Sequence, residues 1–273
     1  MTTRTRDARM SLILTLLSQR GDLHVRFLPA TLGVSGATVR RDVAVMEEKG
    51  LIRRSYGKIA ASRREPVLPV SLRAAQNTEA KRRIGALASS LIPSRPVTLA
   101  LGGGSTVGFV ARSLAGRPDL TVVTNGLDTA TALMARQVTK VVVTGGHASP
   151  LSHDLVGPAA EKSLRSQRFD YAVVGADGIG PAAGFTRHST RGAEIGRIML
   201  EQAERTIVVA DSSKLGKVYQ ATLARANAVH TLVTDSHANA EMIAALGRLG
   251  VTTTVVTIPS AARSVRTGQG GAS

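Results

Sequence analysis

The stretch 31–59, TLGVSGATVRRDVAVMEEKGLIRRSYGKI, decides the fold of the first part of the chain. Gly33 follows a short apolar segment and permits a tight turn, and Ser35 is a favourable N-cap for the helix after it. That helix has an apolar stripe at positions i, i+4 and i+7, formed by Val39, Val43 and Met46. Two short helices joined by a glycine turn, the second with one apolar face, are typical of a helix-turn-helix.

The residues after this helix indicate a wing. Gly50 ends the helix, and residues 51–58, LIRRSYGK, predict a short basic β-hairpin. In a winged helix-turn-helix the second helix enters the major groove of DNA, and cations on its flanks and on the wing pair with phosphates. Arg40 and Arg41 are expected to carry sequence specificity, because arginine can form two hydrogen bonds with guanine. The predicted DNA-binding residues are Ser35, Thr38, Arg40, Arg41, Arg53, Arg54 and Lys58.

The charge of the chain favours a polyanionic partner. Its 273 residues include 35 Lys and Arg against 19 Asp and Glu, a formal net charge of +16. Residues 1–64 hold 13 of these basic and 5 of these acidic residues, so half of the excess lies in the first quarter of the chain. Two alternatives remain: a basic helical hairpin with solvated charges, and a nucleoid or RNA-binding protein that relies on general basicity.

Composition also excludes several classes of protein. The chain has no cysteine, so disulfide bonds, a cysteine zinc site and a thiol nucleophile are all excluded. Residues 1–10, MTTRTRDARM, lack the apolar region of a signal peptide, and no run approaches the roughly 18 apolar residues that span a bilayer. We expect a soluble, cytoplasmic protein with no cofactor and no membrane partner.

The chain changes character after its basic first part. Pro66 and Pro69 disfavour a continuous helix between the two halves, and beyond them short β-branched runs alternate with helical segments. The final residues are small, polar and Gly-rich. We predict a winged helix-turn-helix at 1–62, a linker at 63–77, an α/β domain at 78–258 and a disordered tail at 259–273.

The larger domain has the pattern of a doubly wound α/β fold. Seven strands are predicted, at 97–101, 120–124, 140–144, 171–176, 206–210, 231–234 and 252–257. Most precede a small or polar residue and then a helical segment, which favours a mainly parallel sheet with helices on both faces. The predicted fold is therefore a small α+β winged helix-turn-helix followed by an α/β domain with a mainly parallel doubly wound sheet.

Polar motifs follow several of these strands, at the sheet edge where ligands of such folds bind. The loop 102–106, GGGST, precedes a helix, and its glycines let backbone N–H groups approach an anion. A plain tight turn is the alternative for this loop. Asp177 follows a buried strand, and DSSK at 211–214 follows another. The predicted effector-binding residues are Gly103, Gly104, Ser105, Thr106, Asn125, Gly145, Asp177 and Lys214.

Two further groups are weaker candidates. His147, His153 and Asp154 have metal-ligating side chains, but two loop histidines six residues apart are more often surface residues, so no metal site is predicted. The second group has the chemistry to close over a phosphate, although a solvated basic loop explains it equally well. It consists of Arg187, His188 and Arg191.

Taken in order, these motifs resemble the DeoR family of bacterial sugar-metabolism regulators over about residues 8–236. The first part matches at Gly33-Val34-Ser35, Thr38-Val39-Arg40-Arg41-Asp42, Gly50 and Arg53-Arg54. The second part matches at Thr124-Asn125, Gly145-Gly146, Val156-Gly157-Pro158, residues 175–179, Gly184, Thr186, Glu194 and residues 211–214. The resemblance implies a sensor domain related to ribose-5-phosphate isomerase, in which a phosphorylated sugar or related metabolite changes the affinity for DNA.

The chain departs from the family in two loops. After the wing the family usually has Gly-Gly-Ala, where this chain has residues 57–60, GKIA. The family also usually has Asp before a Gly-Thr-Thr loop, where this chain has Ala100 and then GGGST, which is closer to the isomerase. The alternative function is therefore a sugar-phosphate isomerase with an appended DNA-binding module.

That enzyme needs an Asp-Glu after Gly-Ala and a lysine before a run of four glycines. This chain has Asp177-Gly178 and residues 184–188, GFTRH, in that region. We therefore expect no catalytic residues. The sequence predicts a transcriptional regulator, a repressor of carbohydrate-metabolism genes. Its expected partners are a double-stranded DNA operator, a small phosphorylated effector, and other copies of the chain in a homodimer or homotetramer, because such proteins usually read two half-sites.

Overall fold

The computed structural model describes residues 5–62 and 67–259. The first part of the chain forms three helices and a small sheet. Its elements are α1 (Arg6–Arg20), β1 (Asp22–His24), α2 (Leu28–Leu32), α3 (Gly36–Glu48), β2 (Ile52–Ser55) and β3 (Lys58–Ala61). The three strands pair antiparallel in the order β1-β3-β2.

The glycine turn and the wing form as their residues predict. Gly33 ends α2 in the left-handed conformation, with φ of 68°, and Ser35 caps α3. Tyr56 and Gly57 join β2 to β3, and both have positive φ, which suits the right-handed twist of a two-residue hairpin. The pairing of β1 with β3 was not predicted, because the three residues of β1 are too few to show an alternating pattern.

The second part of the chain forms a larger α/β unit. Its helices are α5 (Thr78–Ser90), α6 (Ser105–Leu114), α7 (Leu127–Met134), α8 (Pro158–Arg165), α9 (Thr190–Glu201) and α10 (Ala240–Arg248). Its strands are β4 (Val97–Leu101), β5 (Leu120–Thr124), β6 (Lys140–Val143), β7 (His147–Ala148), β8 (Leu155–Val156), β9 (Phe169–Gly175), β10 (Gly178–Gly180), β11 (Gly184–Arg187), β12 (Ala203–Val209), β13 (Ala221–Ala224), β14 (Thr231–Asp235) and β15 (Thr252–Val256).

All seven predicted strands are present and form one parallel sheet. Their order is β15-β14-β12-β9-β4-β5-β6, so the chain winds outward from β4 in one direction and then from β9 in the other. One face is covered by α5, α6 and α7, and the other by α8, α9 and α10. The predicted doubly wound fold is confirmed. Its switch point lies between β4 and β9, where such sheets bind their ligands.

Smaller elements surround the carboxyl edge of this sheet. An antiparallel sheet in the order β10-β11-β13 and the hairpin β7-β8 both stand outside the main sheet. Within the predicted linker, residues 67–77 are described and contain a short helix, α4 (Val70–Ala75). Residues 63–66 and residues 260–273 of the predicted tail lie outside the described residues. Among the helices described, none is long and apolar enough to span a membrane.

Candidate functional site

The predicted recognition helix, α3, presents its cations on the face opposite its apolar stripe. Val39, Val43 and Met46 are buried completely in the core of the first unit. Arg40 and Arg41 are exposed. At the start of the helix, the Ser35 hydroxyl accepts a hydrogen bond from the Thr38 backbone N–H and also contacts the Thr38 hydroxyl at 2.9 Å. The capped end of α3 thus presents hydroxyl and guanidinium groups together.

A buried ion pair holds α3 against α1. The Asp42 carboxylate accepts hydrogen bonds from Arg9 Nε at 2.7 Å and from Arg9 Nη2 at 3.2 Å. The side chains of Asp42 and Arg9 are 3% and 10% exposed, and Arg6 Nε lies 3.5 Å from the same carboxylate. The hydrogen bond from Arg9 to Asp42 raises the pKa of the Arg9 guanidinium. The orientation of α3 therefore depends on α1.

On the wing, the predicted cations differ in their surroundings. Arg53 and Arg54 are exposed, and Tyr56 at the hairpin turn is fully exposed. Lys58 is exposed as well, but its Nζ donates to the Asp22 carboxylate on the neighbouring strand at 3.0 Å. The hydrogen bond from Lys58 lowers the pKa of Asp22. A contact between Lys58 and a DNA phosphate would therefore compete with this ion pair.

A cavity of about 740 Å³ lies at the switch point of the large sheet. It brings together six of the eight predicted effector-binding residues: Gly103, Gly104, Ser105, Thr106, Asp177 and Lys214. Gly104 has φ of 106° and directly precedes α6, and residues 103–107, before and at the start of this helix, line the cavity. A helix N-terminus with unpaired N–H groups favours an anion.

The remaining two predicted residues do not line this cavity. Asn125 is buried, and its amide donates to the Leu155 backbone carbonyl at 3.0 Å, which ties the end of β5 to β8. Gly145 is exposed and has φ of 73°, as a tight turn after β6 requires. Both therefore have a structural explanation within the described chain.

Five basic and two acidic side chains line the cavity, which gives it an excess of positive charge. The basic ones are Arg73, Arg187, Arg191, Lys214 and Lys217, and the acidic ones are Asp154 and Asp177. The Arg187 guanidinium donates to the carbonyls of Gly175 and Gly192, which fixes it at the end of β9.

Asp177 is held as a carboxylate by its neighbours. Arg73 Nη1 lies 3.6 Å from Asp177 Oδ1, and the His188 N–H donates to Asp177 Oδ2 at 3.1 Å. Burial alone would raise the pKa of Asp177, but Arg187 and Arg73 outweigh it and hold the pKa below its usual value. Asp177 can therefore accept hydrogen bonds from a ligand at neutral pH.

A buried network supports the turn that carries Lys214. The Asp211 carboxylate accepts hydrogen bonds from Asn77 Nδ2 at 2.9 Å and from the Ser213 backbone N–H at 3.2 Å. Lys81 Nζ lies 3.7 Å from Asp211 and donates to the Arg73 carbonyl. Burial lowers the pKa of Lys81 to about 8, although Asp211 opposes this shift. The network connects the end of β12 to α4.

Residues from the first unit complete the cavity wall. Leu14, Thr15 and Ser18 of α1 line it, together with residues 67–68 and Arg73, Gln76 and Asn77 around α4. None of these residues is among the predicted effector-binding residues. The sequence could have indicated Arg73, because it is a basic residue close to the start of the α/β pattern. The α1 residues carry no such signal, since only the packing of the two units brings them to the cavity.

The weak metal candidates do not form a metal site in the described part of the chain. His153 pairs with Asp128 at 3.0 Å, whereas His147 and Asp154 line the cavity. Among the described residues there is no cluster of three or more His, Cys, Asp or Glu side chains suited to a metal ion.

Comparison with known proteins agrees with both units. Residues 9–64 match the DeoR-like helix-turn-helix domain, and residues 76–236 match the DeoR C terminal sensor domain. The chain is 34% identical to a putative aga operon transcriptional repressor of Escherichia coli, over 89% of this chain and 91% of that protein. It is 32% identical to the transcriptional repressor AccR of Agrobacterium fabrum, over 84% and 89%.

More distant similarities extend to other proteins. The glycerol-3-phosphate regulon repressor of Escherichia coli is 29% identical over 82% of this chain and 88% of that protein. A solved ribose 5-phosphate isomerase A from Methanocaldococcus jannaschii is 18% identical, with a TM-score of 0.39 over 51% of this chain and 55% of that one, which is too remote to bear on function. The chain belongs to the DeoR family of helix-turn-helix transcriptional regulators.

Proposed function

We propose that this regulator is a repressor whose affinity for DNA is controlled by a small phosphorylated metabolite, most simply a sugar phosphate, held in the cavity at the sheet switch point. The names of three relatives support the sign of regulation, since each is called a repressor. The proposal assigns DNA binding to residues 1–62, a linker to 63–77 and effector binding to 78–258, in a cytoplasmic protein.

The observation that carries the proposal is that one positively charged cavity is lined by both units of the chain. Its charge and the N-terminus of α6 suit a phosphate. Thr15 and Ser18 of α1 line the same cavity, while Ile13 and Leu17 on the same helix are buried in the core of the DNA-binding unit. A ligand here would therefore touch the DNA-binding unit directly.

Helix α4 offers a second connection. Leu72 is buried in the core of the DNA-binding unit, and its neighbour Arg73 lines the cavity beside Asp177. The Arg73 Nε is buried without a hydrogen-bond partner in the described structure, so an anionic ligand could supply one. A ligand that draws on Arg73 would shift α4, and through α1 and the Arg9–Asp42 pair it would shift α3. The shift is limited by the ligand's differential affinity for the two arrangements.

On DNA, α3 would enter the major groove and the wing would contact the phosphates. Arg40 and Arg41 would read bases, with Ser35 and Thr38 at the helix start. The exposed cations of the wing, Arg53, Arg54 and Lys58, would contact the backbone. We infer a homodimer or homotetramer that reads two half-sites, as is usual for helix-turn-helix proteins.

A DNA-binding titration tests the proposal. Purified protein is titrated with the region upstream of its own gene and with random DNA of equal length, at one fixed salt concentration, with and without a panel of sugar phosphates. We expect a preference for the upstream region that at least one sugar phosphate weakens. Equal affinity for both DNAs would instead support general nucleic-acid binding through basicity.

The proposal also holds that the protein is not an isomerase. The region that would need an acidic pair and a lysine has Asp177, Gly178 and residues 184–188 instead, and Arg187 there is already bonded to two backbone carbonyls. Incubation with ribose 5-phosphate, followed by assay for ribulose 5-phosphate, should give no turnover above the buffer rate. Turnover that is lost in a Lys214→Ala variant would support the enzyme alternative.

A further inference from the structure

We infer that Asp154 recognises a hydroxyl group of the effector, so that the cavity selects sugar and polyol phosphates over phosphorylated metabolites without hydroxyl groups. The inference rests on the proposed function, since it concerns the same cavity. It identifies Asp154 as the residue that determines specificity. In the sequence, Asp154 was only a weak metal candidate together with His147 and His153.

The first observation is that Asp154 is a cavity-lining carboxyl group with an unsatisfied oxygen. The residue is 5% exposed and lines the cavity. Its Oδ1 is buried and has no hydrogen-bond partner among the described residues. Buried polar atoms are nearly always hydrogen-bonded in folded proteins, so an unsatisfied oxygen that lines a cavity is suited to a hydrogen bond with a ligand.

The second observation is that the fold makes room for this carboxyl group. A Cβ at Gly103 would lie 1.7 Å from Asp154 Oδ1, so only glycine permits the two to approach. Gly103 belongs to the loop that precedes α6, which places Asp154 directly against the candidate phosphate site. A ligand with its phosphate on this loop would therefore lie beside Asp154.

The third observation is that the backbone holds Asp154 in place. The Ser149 N–H donates to its carbonyl at 2.8 Å, and its own N–H donates to the Ser152 hydroxyl at 3.3 Å. It also forms an isolated antiparallel bridge with Gly126. The backbone of Asp154 is therefore held in place by the protein itself, which reduces the ordering cost of binding.

The chemistry of the group fits a hydroxyl better than a phosphate oxygen or an ammonium. Burial raises the pKa of Asp154, while Arg187 and Arg73 oppose the shift and Asp177 adds to it. A hydroxyl can donate to the carboxylate or accept from the protonated acid, so it suits either state. A phosphate next to the carboxylate would be repelled, and the basic lining of the cavity disfavours an ammonium.

Calorimetric titration of the full chain tests this assignment. The probes are ribose 5-phosphate, fructose 6-phosphate, glycerol 3-phosphate, phosphoenolpyruvate and inorganic phosphate. We expect Asp154→Ala to weaken each hydroxylated phosphate that binds the wild type by at least about tenfold, the effect of losing one hydrogen bond to a charged group. Affinity for phosphoenolpyruvate and inorganic phosphate should stay within about twofold or rise, because a nearby negative charge is gone.

Two further variants keep the test decisive. Asp128→Ala is the matched control, because Asp128 is an exposed carboxylate that pairs with His153 and does not line the cavity. It should leave all five affinities unchanged. Asp154→Asn keeps the shape of the side chain and replaces the alanine variant if that one fails to fold. Its loss should be smaller, but confined to the same hydroxylated probes.

The outcomes separate this inference from the proposed function. Equal weakening of inorganic phosphate and sugar phosphates by the Asp154 variants, or no weakening of either, would overturn the role of Asp154 and leave the phosphate site intact. Wild-type binding of inorganic phosphate alone would overturn the selection for hydroxyl groups. Failure of the wild type to bind any of the five probes would overturn the proposed function itself.

Discussion

The proposed DNA-binding surface and the proposed effector cavity are built in opposite ways. The surface comes from one short stretch, residues 35–58, in which local signals set the cap, the helix, the turn and the wing. The cavity is lined by residues from Leu14 to Tyr219, which only the sheet topology and the packing of the two units bring together. The surface of residues 35–58 can change one residue at a time, whereas the cavity depends on the whole fold.

The two regions also use charge differently. On α3 and the wing the arginines are exposed and can pair with a polyanion. In the cavity two of the cations are tied to protein groups: Arg187 to backbone carbonyls and Arg73 to Asp177. Two ion pairs of the DNA-binding unit are exceptions: the buried Arg9–Asp42 pair, and the exposed Lys58–Asp22 pair on the wing. Substitutions in each region should therefore have different consequences, and four of them test the contrast.

The largest effect is expected for Asp42→Ala. The substitution removes both hydrogen bonds between Asp42 and Arg9 and one charge of a buried ion pair, and breaking such a pair typically costs about 3–5 kcal/mol. Denaturant unfolding of the full chain should show an earlier transition of the DNA-binding unit. Glu48→Ala, an exposed acidic residue at the end of the same helix, is the control and should change stability by less than about 0.5 kcal/mol.

Gly103→Ala should damage the cavity and leave the DNA-binding surface intact. The new Cβ would collide with the Asp154 carboxyl group, so the side chain of Asp154 or the loop before α6 must move, at a typical cost of about 1–3 kcal/mol. We expect affinity for inorganic phosphate to fall at least about tenfold in calorimetry. Affinity for DNA without effector should persist. A variant with unchanged phosphate affinity would show that the loop is a plain turn.

Arg41→Ala should weaken specific DNA binding by about 1–3 kcal/mol with no loss of stability, because the side chain is exposed. Competition between the upstream region and random DNA measures the specific part of the affinity. The control is Lys49→Ala, at the opposite end of α3, which should have little effect on specificity. If both variants lose specific binding equally, a part of α3 other than Arg41 contacts the bases.

The smallest effect is expected for Lys58→Ala. A phosphate contact by Lys58 must replace its ion pair with Asp22, so the net gain is reduced. The slope of log affinity against log salt should fall by about 1 or less. Asp22→Ala removes the competitor and should make the slope steeper. If the slope is unchanged in both variants, Lys58 does not contact DNA.

The sequence was sufficient for elements with strong local patterns. All seven strands of the main sheet are short β-branched runs, and each formed where predicted within a few residues. Helix α4 was not anticipated, because Pro66 and Pro69 pointed to an extended linker; α4 begins directly after Pro69, whose missing N–H costs a helix nothing at its start. Strand β1 has only three residues and forms through pairing with β3.

The candidate site was predictable only in part, for a related reason. Strand-end positions identified the glycine loop, Asp177 and Lys214 because the fold class places strand ends together. Asn125 and Gly145 also follow predicted strands directly, but their strands, β5 and β6, lie nearer the margin of the sheet, and neither residue lines the cavity. The contributions of α1 and Arg73 depend on the contact between two units, which no periodicity in either unit encodes.

Reciprocal coupling between the two regions is the most direct test of the proposed regulation. Calorimetry can measure operator affinity with and without saturating sugar phosphate, and sugar-phosphate affinity with and without operator DNA. We expect the sugar phosphate to weaken operator binding by about 5-fold or more, and the operator to weaken sugar-phosphate binding by the same factor, as linkage requires. Independent binding of the two ligands, with neither affinity changed by the other, would contradict the proposal.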